Sequence, residues 1–314
     1  MEVRSRPSNV YTLNPLLEAA QAGGYAVGSF SPRCIPLIRP ILRAAQRLSS
    51  PAIVQISQRE LGRYQVSLEE FAQAFYAFLR EDEITVPVAL HLDHTKELNI
   101  IEAAVQHRFT SVMIDASDLP FQDNAALTSK VVALARPRGV SVEAELGKIG
   151  STDLVETGQA EELFTDPYEA RQFVGETQVD ALAVSVGTSH GAYSGKQPQI
   201  DYRRIQEIRA LTPVPLVLHG GSGVPAEMIR RAIGLPGGGI SKVNLATDLE
   251  LAFLSALGRM ERLTNAECQA LPPSLLAKGL LAVEGVVEEK IRDYLGSAGR
   301  AGEVLADTDD SFAI

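Results

Sequence analysis

The hydrophobic positions of the chain form short runs that alternate with amphipathic stretches. Eight runs are almost continuously apolar, which is typical of parallel strands that are buried on both faces; they cover residues 26–30, 52–56, 86–92, 111–114, 141–145, 181–186, 215–219 and 240–245. Helical periodicity follows over residues 37–46, 68–79, 97–106, 124–135, 167–176, 202–211 and 225–233. Eight strand-then-helix units in about 250 residues predict an α/β fold, a (β/α)8 TIM barrel. A doubly wound open sheet is the alternative.

Further helices are expected at both ends of this barrel. Residues 14–22 predict an extra N-terminal helix, and residues 272–295 predict one or two added C-terminal helices. Because no linker rich in proline, glycine or serine divides the chain, residues 1–314 are expected to form a single domain. Residues 265–314 would be its helical extension and acidic tail. The glycine-rich segment 234–239 is interpreted as a flexible connector at the bottom of the barrel.

Composition limits the classes of partner. The chain has 314 residues and a formal net charge of −10, so a broad surface for nucleic acid or for an anionic membrane is not expected. Hydrophobic residues make up 45% of the chain, but none of their runs reaches the length of a membrane span. The two cysteines, Cys34 and Cys268, lie far apart and predict no disulfide framework. These features favour a cytoplasmic protein.

Three of the five histidines follow predicted strands. They are His94, His190 and His219, and glycine comes directly after the last two. The carboxyl ends of parallel strands are where α/β barrels place their active sites. Three neutral imidazoles with an open coordination position form a catalytic zinc site, so the sequence predicts Zn²⁺ at the barrel mouth.

Carboxylates accompany these histidines. Asp93 precedes His94 and would either exchange a proton with a substrate hydroxyl or only orient the histidine, two roles that the motif alone supports equally. His94 is expected to turn inward because the strand ends there and a helix starts at Thr95. Glu145 is a candidate metal ligand or a partner of one, with a salt bridge to Lys148 as the alternative. For Glu143 a pair inside the barrel is preferred.

The segment His219-Gly-Gly-Ser-Gly223 precedes a predicted helix. Consecutive backbone N–H groups ahead of a helix can bind an anion, and barrels often bind phosphate after strands seven and eight. A plain turn with a helix cap is the alternative, but the position after a predicted metal ligand favours phosphate. Asn244 and Thr247, at the end of strand eight, offer neutral hydrogen bonds to the same ligand.

Six motifs together resemble the zinc-dependent class II ketose-bisphosphate aldolases, particularly the subgroup with the tagatose-bisphosphate enzymes. They lie at residues 90–94, 110–117, 142–147, 186–191, 218–223 and 242–247, and the resemblance extends from about residue 16 to residue 253. It implies a barrel enzyme that reversibly cleaves a ketose phosphate, fructose- or tagatose-bisphosphate-like, into dihydroxyacetone phosphate and an aldehyde. A homodimer or homotetramer, in which the C-terminal helices are a plausible contact surface, is also implied.

The same resemblance implies individual roles. The three histidines bind zinc, Asp93 exchanges the proton of the hydroxyl beside the cleaved bond, and Glu145 can swing toward the metal. Asn244 contacts the reacting end of the substrate, and Asp153 is the acid of a loop that handles the carbon-bound proton. The phosphate pocket, with a monovalent cation (Na⁺ or K⁺) nearby, matches Gly191, Gly220, Gly221, Ser222, Ala246 and Thr247.

The expected chemistry is consistent with a metal. Cleavage leaves a carbanion next to a ketone, and zinc on the carbonyl and hydroxyl oxygens would stabilise it as an enediolate. Lys148 and Lys242 also lie near strand ends, so a Schiff-base route is an alternative. Three placed histidines make that route the poorer explanation.

Some positions depart from the family pattern. Ser31 replaces an asparagine, Ala246 resembles the tagatose-type enzymes, and Glu250 stands where a basic residue often binds the distal phosphate. Because an anion there should repel a second phosphate, the sequence predicts an aldehyde other than the usual triose phosphate, or a cation recruited from a neighbouring subunit.

Two other classes stay open at this point. A barrel metallohydrolase usually carries a His-x-His pair on its first strand, whereas this chain has Ser29-Phe-Ser31 there. A non-catalytic sugar-phosphate-binding relative or regulatory subunit is the second alternative, which the departures favour and the retained histidines disfavour.

Overall fold

Eight parallel strands close into a barrel. The computed structural model describes residues 7–151, 163–191 and 197–306. The strands lie around the barrel in the order β1-β8-β7-β6-β5-β4-β3-β2. Their bounds are β1 Val27–Phe30, β2 Ala52–Ser57, β3 Val88–Thr95, β4 Ser111–Ile114, β5 Ser141–Leu146, β6 Ala181–Val184, β7 Leu216–Leu218 and β8 Ile240–Leu245. The TIM-barrel prediction is confirmed, and the open-sheet alternative is wrong.

The helices follow the strands in alternation. They are α1 Leu13–Gly23, α2 Ile38–Arg47, α3 Gln58–Tyr64, α4 Leu68–Glu81, α5 Leu98–Gln106, α6 Phe121–Ala135, α7 Pro167–Thr177, α8 Tyr202–Leu211, α9 Ala226–Ile233, α10 Thr247–Ala256, α11 Asn265–Gln269, α12 Pro273–Glu289 and α13 Ala301–Ala306. All predicted helices are present. The periodicity missed α3, which is too short for an apolar stripe and begins with a capping box of Ser57 and Glu60.

The amino-terminal end of the barrel is closed by α1 and α13. Leu16 on α1 and Val304 on α13 pack in one buried apolar cluster with Val27 and Ala89, which belong to barrel strands. A larger cluster lies between the strands and the surrounding helices. The predicted N-terminal helix is therefore part of the hydrophobic core.

The predicted C-terminal helical segment is confirmed over residues 273–295. It consists of α12, which packs against α2 and α10, and a π-helix over Lys290–Leu295. The backbone N–H of Ala26 donates to the carbonyl of Leu295, so this segment is tied to the start of β1. The acidic tail at 307–314 lies outside the described residues, and the single-domain organisation stays a prediction.

The side chains that point into the barrel change character along each strand. On β2, β3 and β7 the apolar Ile53, Ala89 and Val217 lie toward the bottom. Two residues further along the chain, on the same side of each strand, are Gln55, His91 and His219, which are all buried. Because buried polar groups are costly unless they have partners, the upper half of the barrel must be a connected polar network.

The direction of His94 has a different cause from the one expected. Strand β3 continues through Thr95, and α5 begins only at Leu98. The register with β4 shifts between Leu92 and Thr95, and His94 has a φ of 27°. The expectation that the strand ends at His94 is therefore wrong; a bulge turns this side chain inward, at the cost of local backbone strain.

No helix in the described ranges combines the length and the apolar content that crossing a bilayer requires.

The segment 234–239 is less free than a flexible connector would be. Gly239 is buried, and a β-carbon there would overlap the carbonyl oxygen of Ala232 and lie 2.5 Å from that of Ile233. Gly62, on α3, has no neighbour within 4 Å of such a carbon. Close packing therefore explains glycine at position 239 but not at position 62.

We expect Gly239→Ala to lower the free energy of unfolding by about 1–3 kcal/mol because the added methyl group overpacks the entry to β8. Gly62→Ala, the matched control, should raise it by roughly 0.5–1 kcal/mol because alanine is the better helix former. Urea denaturation of both variants measures the difference. Equal effects of the two substitutions would contradict the packing argument.

Candidate metal centre and active site

Three buried imidazoles converge at the mouth of the barrel. The ring centroid of His94 lies 4.8 Å from that of His190 and 4.5 Å from that of His219, and the remaining pair is 5.6 Å apart. Each ring offers a nitrogen within 4.8 Å of the nitrogens of the other two. The structure thus brings together the three histidines that the sequence analysis selected.

Carboxylates fix the orientation of two of these rings. His94 Nδ1 is 2.9 Å from Asp115 Oδ2, and His219 Nε2 is 2.9 Å from Glu143 Oε1. The opposite nitrogens, His94 Nε2 and His219 Nδ1, face each other at 2.7 Å. A neutral ring that donates to its carboxylate has a lone pair on its other nitrogen. Two lone pairs at this distance repel unless a proton or a metal cation lies between them.

The electrostatic environment favours a cation. Burial disfavours the charged form of His94, but the carboxylates of Asp93, Asp115 and Glu145 outweigh it and raise its pKa to about 10. Burial and the neighbouring His94 lower the pKa of His219 to about 4. The two rings therefore differ in their affinity for a proton, although they face the same space.

Glu145 lies against the same space with an unused oxygen. Its Oε2 is buried and has no hydrogen-bond partner among the described residues. This atom is 3.8 Å from His219 Nδ1 and 4.0 Å from His94 Nδ1. Burial and the nearby Asp115 raise the pKa of Glu145 to about 8. A salt bridge with Lys148 was the alternative, but the Lys148 ammonium lies 2.9 Å from Asp118.

The donor set suits a divalent metal. Three imidazole nitrogens, an unpartnered carboxylate oxygen and carboxylates that bind the far side of the rings form the usual surroundings of a zinc ion. His94, Asp115 and Glu145 form a second group whose ligand atoms lie close together. The residues present therefore fit such an ion.

Asp93 lies beside the histidines with its carboxylate held from two sides. Asn244 Nδ2 donates to its Oδ1 at 3.1 Å and to its Oδ2 at 3.3 Å, and Gln55 Nε2 donates to Oδ2 at 3.1 Å. Burial opposes ionisation, but the charge of His94 and a hydrogen bond from His91 hold the pKa of Asp93 well below its usual range. The carboxylate is therefore ionised and able to accept a proton.

A small pocket adjoins Asp93. Its lining comes from the loops after β6 and β7 and from the carboxyl ends of β2 and β8: Gln55, Gly191, Gly220, Ser222, Asn244, Ala246 and Thr247. Six of these residues were selected from the sequence as substrate-binding. Gly221, the seventh that was selected, lies beneath them and donates its N–H to the Asn244 carbonyl at 3.1 Å.

The glycines of this pocket are required by their surroundings. Gly220 has a φ of 68°, and a β-carbon there would overlap the Ser189 carbonyl oxygen. The hydroxyl of Ser222 accepts from the N–H groups of Ala246 at 3.2 Å and of Asp248 at 3.3 Å. Thr247 is the first residue of α10, so a helix N-terminus points at the pocket. The N-terminus of a helix has a positive potential that favours an anion such as phosphate.

Neither lysine near the strand ends suits a Schiff base. Lys242 is buried inside the barrel with its ammonium 2.8 Å from Glu143 Oε2, and Lys148 pairs with Asp118. Burial opposes ionisation of Glu143, but Lys242 and His219 lower its pKa to about 2. The barrel-interior pair expected for Glu143 is present, and it engages the Lys242 amino group that a Schiff-base route would need.

Glu250 is not the uncompensated anion that the sequence suggested. Its carboxylate accepts a hydrogen bond from Tyr64 at 2.7 Å and forms ion pairs with Arg33 and with Arg262, the latter at 3.2 Å. Arg33 also pairs with Glu60 at 3.0 Å. The guanidinium groups of Arg33 and Arg262 thus offset the charge on which the expected repulsion of a second phosphate depends.

Sequence reasoning missed Asp115, Gln55 and Ser29. Asp115 was part of a recognised motif, but its pairing with His94 depends on how β3 and β4 align. Gln55 is a polar residue within an apolar run, which is the only local feature that marks it. Asp153 lies outside the described residues, so its role stays a prediction.

Comparison with known proteins decides the family. The model of the family described as fructose-bisphosphate aldolase class-II matches residues 11–300. The chain belongs to this family. Its members are metal-dependent lyases that cleave a carbon–carbon bond of a sugar phosphate, so this aldolase is an enzyme of carbohydrate metabolism.

Relatives of this aldolase match over nearly their whole length. The fructose-bisphosphate aldolase of Geobacillus stearothermophilus is 38% identical over 295 residues, which cover 94% of this chain and 100% of the relative. The fructose-bisphosphate aldolase of Helicobacter pylori is 37% identical over 307 residues, with 91% and 98% covered. The crystal structure of the YdjI aldolase from Escherichia coli has a TM-score of 0.78 at 31% identity and covers 93% of this chain and 99% of that chain.

The Lys242–Glu143 pair in this aldolase should be essential for stability. We expect Lys242→Met to lower the free energy of unfolding by about 3–5 kcal/mol because it leaves Glu143 charged and buried without its partner. Arg43→Met, which removes an exposed ion pair with Asp82, should cost less than about 1 kcal/mol. Chemical denaturation compares the two. Similar losses would show that burial of the pair does not matter.

Proposed function

We propose that the protein is a zinc-dependent aldolase that reversibly cleaves a ketose phosphate into dihydroxyacetone phosphate and an aldehyde. The observation that carries this proposal is the convergence of His94, His190 and His219 beside Asp93 and an anion-binding pocket. A metal, a proton acceptor and a phosphate site within one barrel mouth are the parts that this reaction needs.

The histidines would hold the ion, with Glu145 as a ligand in an alternative position. Zinc would supply Lewis-acid chemistry for the negative charge that develops at the ketone oxygen. Asp115 and Glu143 would keep the ring nitrogens of His94 and His219 directed at the ion through the hydrogen bonds to the opposite nitrogens.

Asp93 would take the proton from the substrate hydroxyl in the cleavage direction and return it in the condensation direction. Its ionised carboxylate lies at the edge of the pocket, and Asn244, which lines the pocket, holds both carboxylate oxygens. The Oδ1 atom of Asn244 is buried and has no hydrogen-bond partner among the described residues, so it can accept from a substrate hydroxyl.

The phosphate of the dihydroxyacetone half would occupy the pocket formed by Gly191, Gly220, Ser222 and Thr247, with Gly221 beneath it. Backbone N–H groups and the N-terminus of α10 provide the positive potential there. A monovalent cation, Na⁺ or K⁺, beside this phosphate belongs to the proposal. So do the loop acid Asp153, a homodimer or homotetramer, and a cytoplasmic location.

The identity of the aldehyde half of the substrate is the most specific part of the proposal. Ala246 lines the pocket with a small apolar side chain, as in tagatose-type enzymes. Because Glu250 is neutralised by Arg33 and Arg262, the cluster places no net negative charge against a second phosphate. We therefore favour a ketose bisphosphate of the fructose or tagatose type as the substrate, over a ketose monophosphate that would release an uncharged aldehyde.

Removal of one imidazole should abolish metal binding. We expect His219→Ala to lose bound zinc and at least about 1,000-fold in turnover, because two histidines cannot retain the ion and its chemistry. His107→Ala is the control, since this histidine lies at the C-terminal end of α5 and away from the site. Metal analysis of the purified proteins and a coupled assay for dihydroxyacetone phosphate give the result. Full metal content in His219→Ala would refute its assignment as a ligand.

The variant Asp93→Ala should distinguish metal binding from proton transfer. We expect this variant to keep its zinc while kcat falls by roughly 100- to 10,000-fold, because the proton acceptor is missing. The same assay and metal analysis apply. Unchanged turnover would remove the proton-transfer role of Asp93 and leave the metal assignment intact.

A panel of ketose phosphates tests the substrate. Cleavage of the fructose and tagatose bisphosphates should exceed cleavage of the corresponding monophosphates in kcat/KM, because the distal side of the site is not negatively charged. Preference for the monophosphates would instead indicate that the aldehyde product carries no phosphate. Failure of every ketose phosphate, with zinc bound, would favour a non-catalytic relative.

A further inference from the structure

We propose that Gln55, oriented by Ser29, is a positioning residue for the Asp93 carboxylate. The inference rests on the proposed function, in which Asp93 exchanges a proton with the substrate. Gln55 is 2% exposed and Ser29 is fully buried, so both act from within the barrel. The structure assigns them a shared task that neither the family match nor the metal chemistry requires.

The three residues form a chain across neighbouring strands. The Ser29 hydroxyl on β1 donates to Gln55 Oε1 on β2, and Gln55 Nε2 donates to Asp93 Oδ2 on β3 at 3.1 Å. Asn244 on β8, paired in register with Ser29, reaches Asp93 directly at 3.1 Å. Strands β8, β1, β2 and β3 are consecutive around the barrel. The carboxylate is thus held by two amides that come from different strands.

Ser29 determines which end of the Gln55 amide faces Asp93. An amide has an oxygen that accepts and a nitrogen that donates, and an ionised carboxylate can only accept. The hydroxyl of Ser29 satisfies the amide oxygen, which leaves the nitrogen directed at Asp93. Without that hydroxyl, the oxygen of a buried amide would lack its partner and the amide would lose its preferred orientation.

Position matters because Gln55 contacts Asp93 and also lines the pocket proposed for the substrate. Its side chain lines the same pocket as Gly220 and Thr247. A carboxylate that exchanges a proton must lie within hydrogen-bond reach of the hydroxyl, and a displacement of about 1 Å can cost on the order of 100-fold in rate. Removal of the Gln55 donor leaves Oδ2 of Asp93 with only the longer hydrogen bond from Asn244, at 3.3 Å, and so weakens the hold on the carboxylate. The hydrogen bonds of His94 and His219 to their carboxylates do not depend on Gln55.

The test begins with Gln55→Met, which keeps the length of the side chain and removes both hydrogen bonds. We expect kcat to fall by about 10- to 100-fold while KM changes by less than about 3-fold and the zinc content stays at the level of the unmodified enzyme. Ser29→Ala should lower kcat by a smaller factor, since the amide remains. Unchanged kcat in Gln55→Met, or a loss that appears only in KM, overturns the proposal.

A control separates positioning from simple destabilisation. Ser50, which lies just before the start of β2, has a buried hydroxyl that contacts the Ser297 hydroxyl and the Pro51 carbonyl, and Ser50→Ala removes it. Both serine variants should lose a similar amount of thermal stability, and only Ser29→Ala should lose turnover. Equal kcat losses in Ser29→Ala and Ser50→Ala would reduce the role of Ser29 to fold stability.

A double-mutant cycle identifies the group that Gln55 serves. Adding Gln55→Met to Asp93→Ala should cause no further loss of residual turnover, because the carboxylate to be positioned is gone. The same fold loss in both backgrounds would show that Gln55 acts elsewhere, and the proposal would fail while the function stands. Full turnover in Asp93→Ala alone is a different outcome, since it removes the proton-transfer assignment itself.

Discussion

The approach of His94 Nε2 and His219 Nδ1 to 2.7 Å is the constraint around which the site is arranged. Each ring binds a carboxylate through its other nitrogen, so a ring that turned away would lose its hydrogen bond to Asp115 or Glu143. A proton or a metal cation between these two nitrogens removes the repulsion of their lone pairs, and the hydrogen bonds behind the rings keep both nitrogens directed at that position.

That constraint extends down the barrel through Glu143. One of its oxygens orients His219, and the other pairs with the buried Lys242. Below this level the interior is apolar and is closed by α1 and α13. The orientation of His219 thus depends on an internal ion pair, and the hydrophobic lower half of the barrel packs beneath it.

Much of this arrangement could be predicted because it is local in sequence. The apolar runs give the strands, and a histidine at the end of a run gives a side chain at the barrel mouth. Thr247 at the end of the last run likewise predicts a helix N-terminus near the site. What could not be predicted depends on neighbours that are distant in sequence. The bulge at His94 arises from its register with β4, and the pairing of Ser29 with Gln55 requires β1 beside β2.

Glu250 shows the same limit for electrostatics. An isolated carboxylate opposite a phosphate repels it, whereas a carboxylate between two guanidinium groups contributes little net field. The sequence shows only that residue 250 carries a negative charge. Arg33, which pairs with it, lies 217 positions away along the chain. Arg33 and Arg262 balance Glu60 and Glu250 in formal charge, and Arg262 has the more exposed side chain of the two arginines, 35% against 2%. The charge at this side of the barrel mouth therefore depends on the Arg262 guanidinium, which pairs with Glu250 at 3.2 Å, as much as on Glu250 itself.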